Sequence, residues 1–181
     1  MIYVFLADGF EEIEALAPVD FLKRAGVEVV TVGISSKEIT GAHNIKVIAD
    51  VTADAVAFNN ELQGIILPGG MPGAENLDNS AVVQAAIEYC AENNKIIGAI
   101  CAAPFILGRK GLLKGKNATC FPGFEDELKE ANLVENGVII DGTIVTAKGA
   151  GVAWEFGAAI CSIMTGEEKA LEILRGIQWR R

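Results

Sequence analysis

The stretch IIGAICAAPFIL, residues Ile96 to Leu107, places a cysteine between two apolar runs. The run that ends at Ile100 is short and rich in β-branched residues, which is typical of a buried strand. The run after Cys101 is also apolar and is followed by lysine and glycine, which often end a helix. Cys101 therefore stands at a predicted strand-to-helix junction, where it is either a functional thiol or a small core residue.

Length and charge restrict the class of protein. The chain has 181 residues, 51% of them hydrophobic, which predicts a single domain over residues 1–181. A net charge of −9 argues against binding to nucleic-acid phosphates or anionic lipid. No apolar run reaches the roughly 20 residues that span a bilayer, so no membrane association is expected. The N-terminus has no basic region and soon meets Asp8, so we expect a cytoplasmic protein without a signal peptide.

Cysteine and histidine are too sparse for a predicted metal site. The four cysteines contain no C-x-x-C pair, and His43 is the only histidine. The pattern therefore predicts free thiols, with neither a zinc site nor a disulfide framework. Most of these cysteines are expected to be buried small hydrophobes.

The remaining elements alternate between strand and helix patterns. Strands are predicted at 2–6, 27–32, 64–67 and 96–100, and helices at 80–93, 152–164 and 167–177. A further helix follows the first strand, with Asp8 as its expected N-cap and Glu11 at capping-box spacing. Asp141-Gly142 predicts a hairpin. The strands are mostly apolar throughout, which favours an α/β fold with a mostly parallel sheet covered by helices on both faces.

Three loops are expected at one edge of that sheet, because ligands of open α/β sheets collect at the carboxyl ends of the strands. They hold Glu14, the glycines Gly69 and Gly70, and Cys101. A helix N-terminus would lower the thiol pKa from about 8.5, and a carboxyl group could exchange protons with the thiol or substrate. Taken singly, the glycines indicate only a turn. Of the other carboxylates, Glu11 is interpreted as a helix cap and Glu12 as a solvated charge.

Four motifs in this order resemble one known family. They are ADGFEEIEALAPVDFLKRAG (7–26), IILPGGMPGAENL (65–77), GAICAAPFIL (98–107) and GAGVAWEFGAAI (149–160). Together they are similar to the ThiJ/PfpI superfamily, in the branch of the Parkinsonism-associated protein deglycase and its bacterial relatives. The resemblance covers essentially the whole chain and implies a flavodoxin-like three-layer sandwich that forms a homodimer.

The resemblance also implies roles for individual residues. Cys101 matches the family's reactive cysteine, and Glu14 matches the carboxyl group that hydrogen-bonds its sulfur. Gly70 and Ala102 match the backbone donors that face the sulfur. The other positions that match the site or the dimer interface are Arg24, His43, Gly69, Phe121, Gly149 and Gly151.

One position departs from the family pattern. Many members carry a histidine near the cysteine, within T-T-H-P, whereas this chain has Thr119-Cys120-Phe121-Pro122. No neighbouring imidazole is then left to activate the thiol, which weakens a Cys-His peptidase mechanism.

Two functions follow from the resemblance. The first is a cofactor-independent glyoxalase or deglycase, in which Cys101 attacks methylglyoxal or its early protein adducts and Glu14 transfers protons. The second is an oxidation-sensing stress protein or redox-regulated chaperone that uses the same cysteine. Both require the same pair of residues, so the sequence does not separate them.

His43 has two interpretations of its own. Residues 40–49 predict a pair of short strands or a hairpin that carries His43. His43 is either a solvated loop residue before the strand at 45–49, or an interface residue that approaches Cys101 of the partner subunit together with Arg24. In the second case its imidazole would favour the thiolate or bind a carboxylate product.

Overall fold

A computed structural model describes residues 1–180 of the chain. The strands in chain order are β1 (Ile2–Leu6), β2 (Val29–Gly33), β3 (Glu38–Thr40), β4 (Lys46–Ile48), β5 (Val51–Thr52), β6 (Gly64–Leu67), β7 (Ile96–Ile100), β8 (Asn117–Ala118), β9 (Asn132–Leu133), β10 (Val138–Asp141) and β11 (Ile144–Ala147). The α-helices are α1 (Glu12–Arg24), α2 (Gly73–Asp78), α3 (Ala81–Glu92), α4 (Pro104–Arg109), α5 (Ala153–Thr165) and α6 (Glu167–Gly176). Short 3₁₀ helices lie at Ala53–Ala55, Glu125–Glu127 and Ala150–Val152.

The central sheet is mixed and mostly parallel. Its seven strands follow the order β10-β11-β7-β6-β1-β2-β5. Five of the pairings are parallel, and only β10 and β11 run antiparallel, joined by the tight turn at Asp141-Gly142. The predicted α/β class, parallel sheet and hairpin are therefore confirmed.

Helices cover both faces of this sheet because its strands are apolar on both faces. Along β1, Tyr3 and Phe5 pack on the face covered by α2, α3 and α4. Ile2 and Val4 point to the opposite face, which α1, α5 and α6 cover. The alternation follows from the two-residue period of a strand. The core thus consists of two apolar layers, one on each side of the sheet.

The beginning of α1 differs from the prediction. Asp8 does not cap the helix; its carboxylate instead accepts a hydrogen bond from the Thr40 N–H (2.9 Å). A turn closed by the Phe10 N–H and the Ala7 carbonyl oxygen (3.0 Å) delays the helix. Glu11 is the N-cap, and its side chain accepts from the Glu14 N–H (2.7 Å). This shift places Glu14 in the first helical turn.

A short hairpin lies outside the central sheet. It consists of β3 and β4, which pair antiparallel, with His43 in the connecting turn. The predicted hairpin is thus confirmed. Within residues 1–180, no helix has the length and apolar character that a bilayer crossing needs.

Candidate active site

The candidate site lies where three neighbouring parallel strands end. Cys101 directly follows β7, Gly69 and Gly70 follow β6, and α1 follows β1 after a short loop. The Glu11 N–H donates to the Gly69 carbonyl oxygen (2.9 Å), which ties the start of α1 to the loop after β6. The structure therefore brings together the three loops that carry the predicted thiol, carboxyl group and glycine turn.

The backbone at Cys101 is held in an unusual conformation. Its φ of 65° lies in the left-handed region, which non-glycine residues seldom adopt. Two hydrogen bonds hold it: the Cys101 N–H donates to the Ala147 carbonyl oxygen (2.8 Å), and the Phe121 N–H donates to the Cys101 carbonyl oxygen (2.8 Å). Strain of this kind persists only where the surroundings fix the residue, and it is frequent at active sites. The left-handed conformation of Cys101 directs the thiol away from the axis of β7.

Backbone N–H groups face the sulfur. Those of Gly70 and Ala102 donate to the Cys101 thiol group. Such donors stabilise negative charge on sulfur or on an atom bound to it. Gly70 has a φ of 85°, and a methyl group on its α carbon would lie 2.5 Å from the Glu11 nitrogen. Only glycine therefore fits there and presents its N–H to the thiol.

Glu14 is a buried carboxyl group beside this thiol. Its exposed fraction is 1%, and its side chain shares a hydrogen bond with Cys101. Oε2 accepts from the Gly69 N–H (3.0 Å), and the carboxyl group also accepts from the Ala150 N–H. Every contact is supplied by a strand end or a following loop, so the carboxyl group is fixed against the sulfur.

The two acids titrate as a pair. Burial raises the pKa of Glu14 to about 7, and the charge of Glu11 adds to this effect. Burial and the nearby Glu14 charge raise the pKa of Cys101 to about 12. The first proton therefore leaves the pair near pH 7 and the second far above it. At neutral pH the pair holds a proton that can move between sulfur and carboxylate.

The pKa of the Cys101 thiol is raised, which contradicts the expectation that a helix N-terminus lowers it. The helix after the junction, α4, has only six residues and begins at Pro104, not directly after Cys101. Its dipole is therefore weak at the sulfur, since the effect is confined to the terminal turn. Burial and the neighbouring carboxylate outweigh it.

Gly149 and Phe121 border the pair. A methyl group on the α carbon of Gly149 would lie 3.6 Å from Glu14 Oε1 and 3.4 Å from Phe121 Cδ2. Phe121 occupies the place where a family histidine was expected, and its side chain is 47% exposed. No ionisable group stands there.

Three predicted residues do not contact the pair within this chain. Arg24 lies at the far end of α1 and forms an ion pair with Asp20 (2.6 Å). Gly151 is exposed, and a methyl group there would meet nothing within 4 Å. His43 pairs through Nδ1 with Glu12 Oε2 (2.7 Å). The expected place of Arg24 and His43 at a dimer interface concerns a second subunit.

The interpretation of Glu12 as a solvated charge is wrong. Glu12 is buried, and its carboxylate accepts hydrogen bonds from both the backbone N–H (2.8 Å) and the ring of His43. Glu11, Glu12 and His43 offer ligand atoms within 4.8 Å of one another, a set with the chemistry to hold a cation. The hydrogen bond to the imidazole already occupies the Glu12 carboxylate. No local signal in the sequence revealed this contact, because the hairpin brings His43 to α1.

The sequence analysis also missed two backbone groups of the site. The Ala147 carbonyl oxygen holds Cys101, and the Ala150 N–H holds Glu14. Both flank the end of β11, which pairs in parallel with β7. The rule that ligands gather at the carboxyl ends of parallel strands would have included this loop.

The chain matches a known family over most of its length. The family model described as DJ-1/PfpI family matches residues 1–163. Protein DJ-1 homolog B of Arabidopsis thaliana is 41% identical over 174 residues, which cover 95% of this chain and 40% of that protein. The chain thus spans less than half the length of this relative.

Two further similarities extend over nearly whole chains. Glutathione-independent glyoxalase DJR-1.2 of Caenorhabditis elegans is 31% identical over 167 residues, covering 91% of this chain and 88% of that protein. The structure of oxidized Toxoplasma gondii DJ-1 superposes with a TM-score of 0.94 at 34% identity, covering 99% of this chain and 98% of that one. With the flavodoxin-like fold and the matched motifs, these findings establish that the chain belongs to the DJ-1/PfpI family.

Proposed function

We propose that the protein is a cysteine-dependent, cofactor-independent glyoxalase that acts on methylglyoxal or on its early protein adducts. The observation that carries the proposal is the hydrogen-bonded pair of Cys101 and Glu14, with backbone N–H groups aimed at the sulfur. A relative of this family is named a glutathione-independent glyoxalase. Such an enzyme needs a thiol of its own in place of glutathione, and Cys101 is the thiol at this site.

The first step is addition of the thiol to the aldehyde. Sulfur bonds to the aldehyde carbon while the thiol proton passes to the Glu14 carboxylate, which acts as general base. The carbonyl π electrons move to oxygen, and Glu14 returns the proton to that oxygen. The product is a hemithioacetal on Cys101.

The second step is a proton transfer between neighbouring carbons. Glu14 removes the hydrogen of the former aldehyde carbon and passes this proton to the ketone oxygen, giving an enediol. Glu14 then takes the hydroxyl proton from the sulfur-bearing carbon, whose C–O bond becomes C=O, and delivers it to the adjacent carbon. The result is a thioester of lactate on Cys101. Water attacks the thioester, releases lactate and restores the thiol, so methylglyoxal and one water become lactic acid.

A carboxyl group with a pKa of about 7 suits this sequence of steps. It must accept and release a proton in turn, and this is most efficient when its pKa lies near the working pH. A reducing, cytoplasmic compartment would keep Cys101 in the thiol form that the mechanism requires.

The proposal includes a homodimer. Arg24 and His43 would lie at its interface, each already paired with a carboxylate of its own subunit. Sedimentation or light scattering over a range of concentrations tests the oligomeric state, and a monomer at all concentrations would remove this part of the proposal.

Lactate formation from methylglyoxal tests the catalytic proposal. We expect turnover by the wild type, its loss in Cys101→Ala, and a large decrease in Glu14→Gln. Cys90→Ala is the matched control, because it removes a buried thiol of α3 that does not belong to the site. Wild-type turnover no faster than that of an equal concentration of free cysteine would contradict the proposal.

The second candidate function is an oxidation sensor. Cys101 is the only one of the four cysteines that is not buried, and a structural neighbour is an oxidized DJ-1. Peroxide would convert the Cys101 thiol to sulfenate and then to sulfinate. Preferential oxidation of Cys101 without lactate formation would favour this function over the glyoxalase.

A further inference from the structure

Phe121 is an exposed aromatic side chain attached directly to the catalytic junction. Its N–H donates to the Cys101 carbonyl oxygen (2.8 Å), which ties its backbone to that of the cysteine. Its side chain is nevertheless 47% exposed, although exposure of a large apolar side chain to water is unfavourable. A ligand that covered the ring would remove apolar surface from water, and this would favour binding.

The ring faces a cavity beside the pair. Phe121 lines a cavity of about 360 Å³ together with Pro122, Val152 and residues 148–151. A methyl group on the α carbon of Gly149 would lie 3.4 Å from Phe121 Cδ2 and 3.6 Å from Glu14 Oε1. The ring and the catalytic carboxyl group thus flank the same glycine, which lines the cavity.

We propose that Phe121 is a substrate-binding residue that makes the protein favour 2-oxoaldehydes with an aromatic or large apolar substituent over glyoxal. This inference rests on the proposed function and names the substrate class of the same site. A phenyl ring neither donates nor accepts a conventional hydrogen bond, so it selects by apolar contact. Glyoxal carries only hydrogen where phenylglyoxal carries a ring, and it would leave Phe121 exposed.

The preference for an apolar substituent should be modest, because Phe121 would contact that substituent on one side only. A single methylene in an enclosed pocket changes the specificity constant by about 10–200-fold. An open cavity with one aromatic wall lies at the lower end of that range. We therefore expect Phe121→Ala to reduce the phenylglyoxal-to-glyoxal ratio of kcat/KM about ten-fold, and Phe121→Leu to reduce it less.

The experiment compares these ratios in the wild type, Phe121→Ala, Phe121→Leu and a control. Phe58→Ala is the matched control, because Phe58 is also partly exposed (37%) but stacks on Tyr89, away from the site. The control should leave the ratio unchanged. A second measurement needs no turnover: mandelate, the product from phenylglyoxal, should protect Cys101 from iodoacetamide better than lactate does, and Phe121→Ala should remove the difference.

The outcomes separate the two proposals. An unchanged ratio in Phe121→Ala, with turnover still lost in Cys101→Ala, overturns the role of Phe121 and leaves the glyoxalase function standing. If the wild type has no turnover, the glyoxalase function fails, and the protection experiment decides for Phe121. Equal protection by mandelate and lactate in the wild type would then overturn the inference.

Discussion

The carboxyl group of Glu14 shares a hydrogen bond with the thiol of Cys101, and the Gly69 N–H holds its Oε2 at 3.0 Å. Two acids in such contact cannot both ionise at neutral pH, because the second negative charge would be buried beside the first. The protein therefore carries one negative charge at this site over a wide pH range above about 7.

The reactivity of Cys101 should depend on this shared proton. We expect the rate of its alkylation by iodoacetamide to rise through a pH of about 7, where Glu14 becomes a carboxylate able to accept the thiol proton. In Glu14→Gln that step should vanish, because no carboxylate remains at the site. Mass spectrometry of Cys101 after brief alkylation at a series of pH values measures both profiles.

Glu11→Gln provides the matched comparison for this titration. The Glu11 charge raises the pKa of Glu14, and a glutamine keeps an oxygen for the N-cap hydrogen bond. Its profile should keep the step but shift it to lower pH. A step at the same pH in the wild type, Glu11→Gln and Glu14→Gln would show that another group titrates there.

Burial of Glu14 should also make folding stability depend on pH. Its pKa rises from 4.5 to about 7 on folding, so the folded state binds the proton more tightly than the unfolded state. The associated stability is fully present below 4.5 and is lost as the pH rises through about 7. At 1.36 kcal/mol per pKa unit, the loss amounts to about 3 kcal/mol.

Urea unfolding of the wild type and Glu14→Gln measures this loss. The glutamine stays neutral at every pH, so the difference in unfolding free energy between the two proteins isolates the carboxyl group. We expect the wild type to lose stability relative to Glu14→Gln between pH 5 and pH 8. Parallel curves over that interval would mean that the Glu14 carboxyl group is not buried as described.

A methyl group on Gly69 should disturb the site, whereas one on a glycine away from the site should not. In Gly69→Ala the added carbon would lie 2.6 Å from both Cys101 Cβ and Glu14 Oε2, so the pair must separate. We expect a loss of about 1–3 kcal/mol in unfolding free energy and a decrease of about a hundred-fold in turnover, because catalysis is sensitive to small displacements. Gly176→Ala is the control, since Gly176 ends α6, which supplies no residue of the site, and its methyl group meets nothing within 4 Å.

Unfolding free energy and lactate formation, measured on both variants, check this expectation. Full activity in Gly69→Ala would show that the reacting groups tolerate the displacement. Equal losses in the two variants would point instead to a general sensitivity of the protein to added methyl groups.

Much of the fold could be predicted from local patterns. The run Ile96–Ile100 is apolar throughout because both faces of β7 are buried, and Asp141-Gly142 forms the hairpin turn that its residue types favour. The position of Cys101 followed from the predicted end of this strand at Ile100. These features depend on short-range periodicity and turn chemistry, which a single sequence contains.

The surroundings of the acidic side chains were harder to predict from the sequence. Asp8 has the residue type that N-caps prefer, but it contacts Thr40 of β3 and Glu11 caps the helix instead. The burial of Glu12 depended on the same hairpin, which carries His43. The raised pKa of Cys101 required knowledge of how much solvent the packed loops exclude. Each of these depends on contacts between elements distant in the sequence.

The pair of His43 and Glu12 gives the last prediction. The hydrogen bond to Glu12, with Nδ1 and Oε2 2.7 Å apart, raises the pKa of His43 above 6.5. Because His43 is the only histidine, its ring proton resonances report this titration without overlap. Glu12→Gln should lower the midpoint toward 6.5, and Glu28→Gln, a change at an exposed carboxylate elsewhere, should leave it unchanged.

The sign of the stability effect follows from the same shift. The folded state binds the proton of His43 more tightly, so the stabilisation is present below 6.5 and is lost as the pH rises through the raised pKa. High salt should reduce the shift, because 66% of the His43 side chain is exposed and its charge is screened. An NMR titration with the same midpoint in the wild type and Glu12→Gln would show that Glu12 does not hold the imidazole in solution. In that case His43 would be a solvated turn residue.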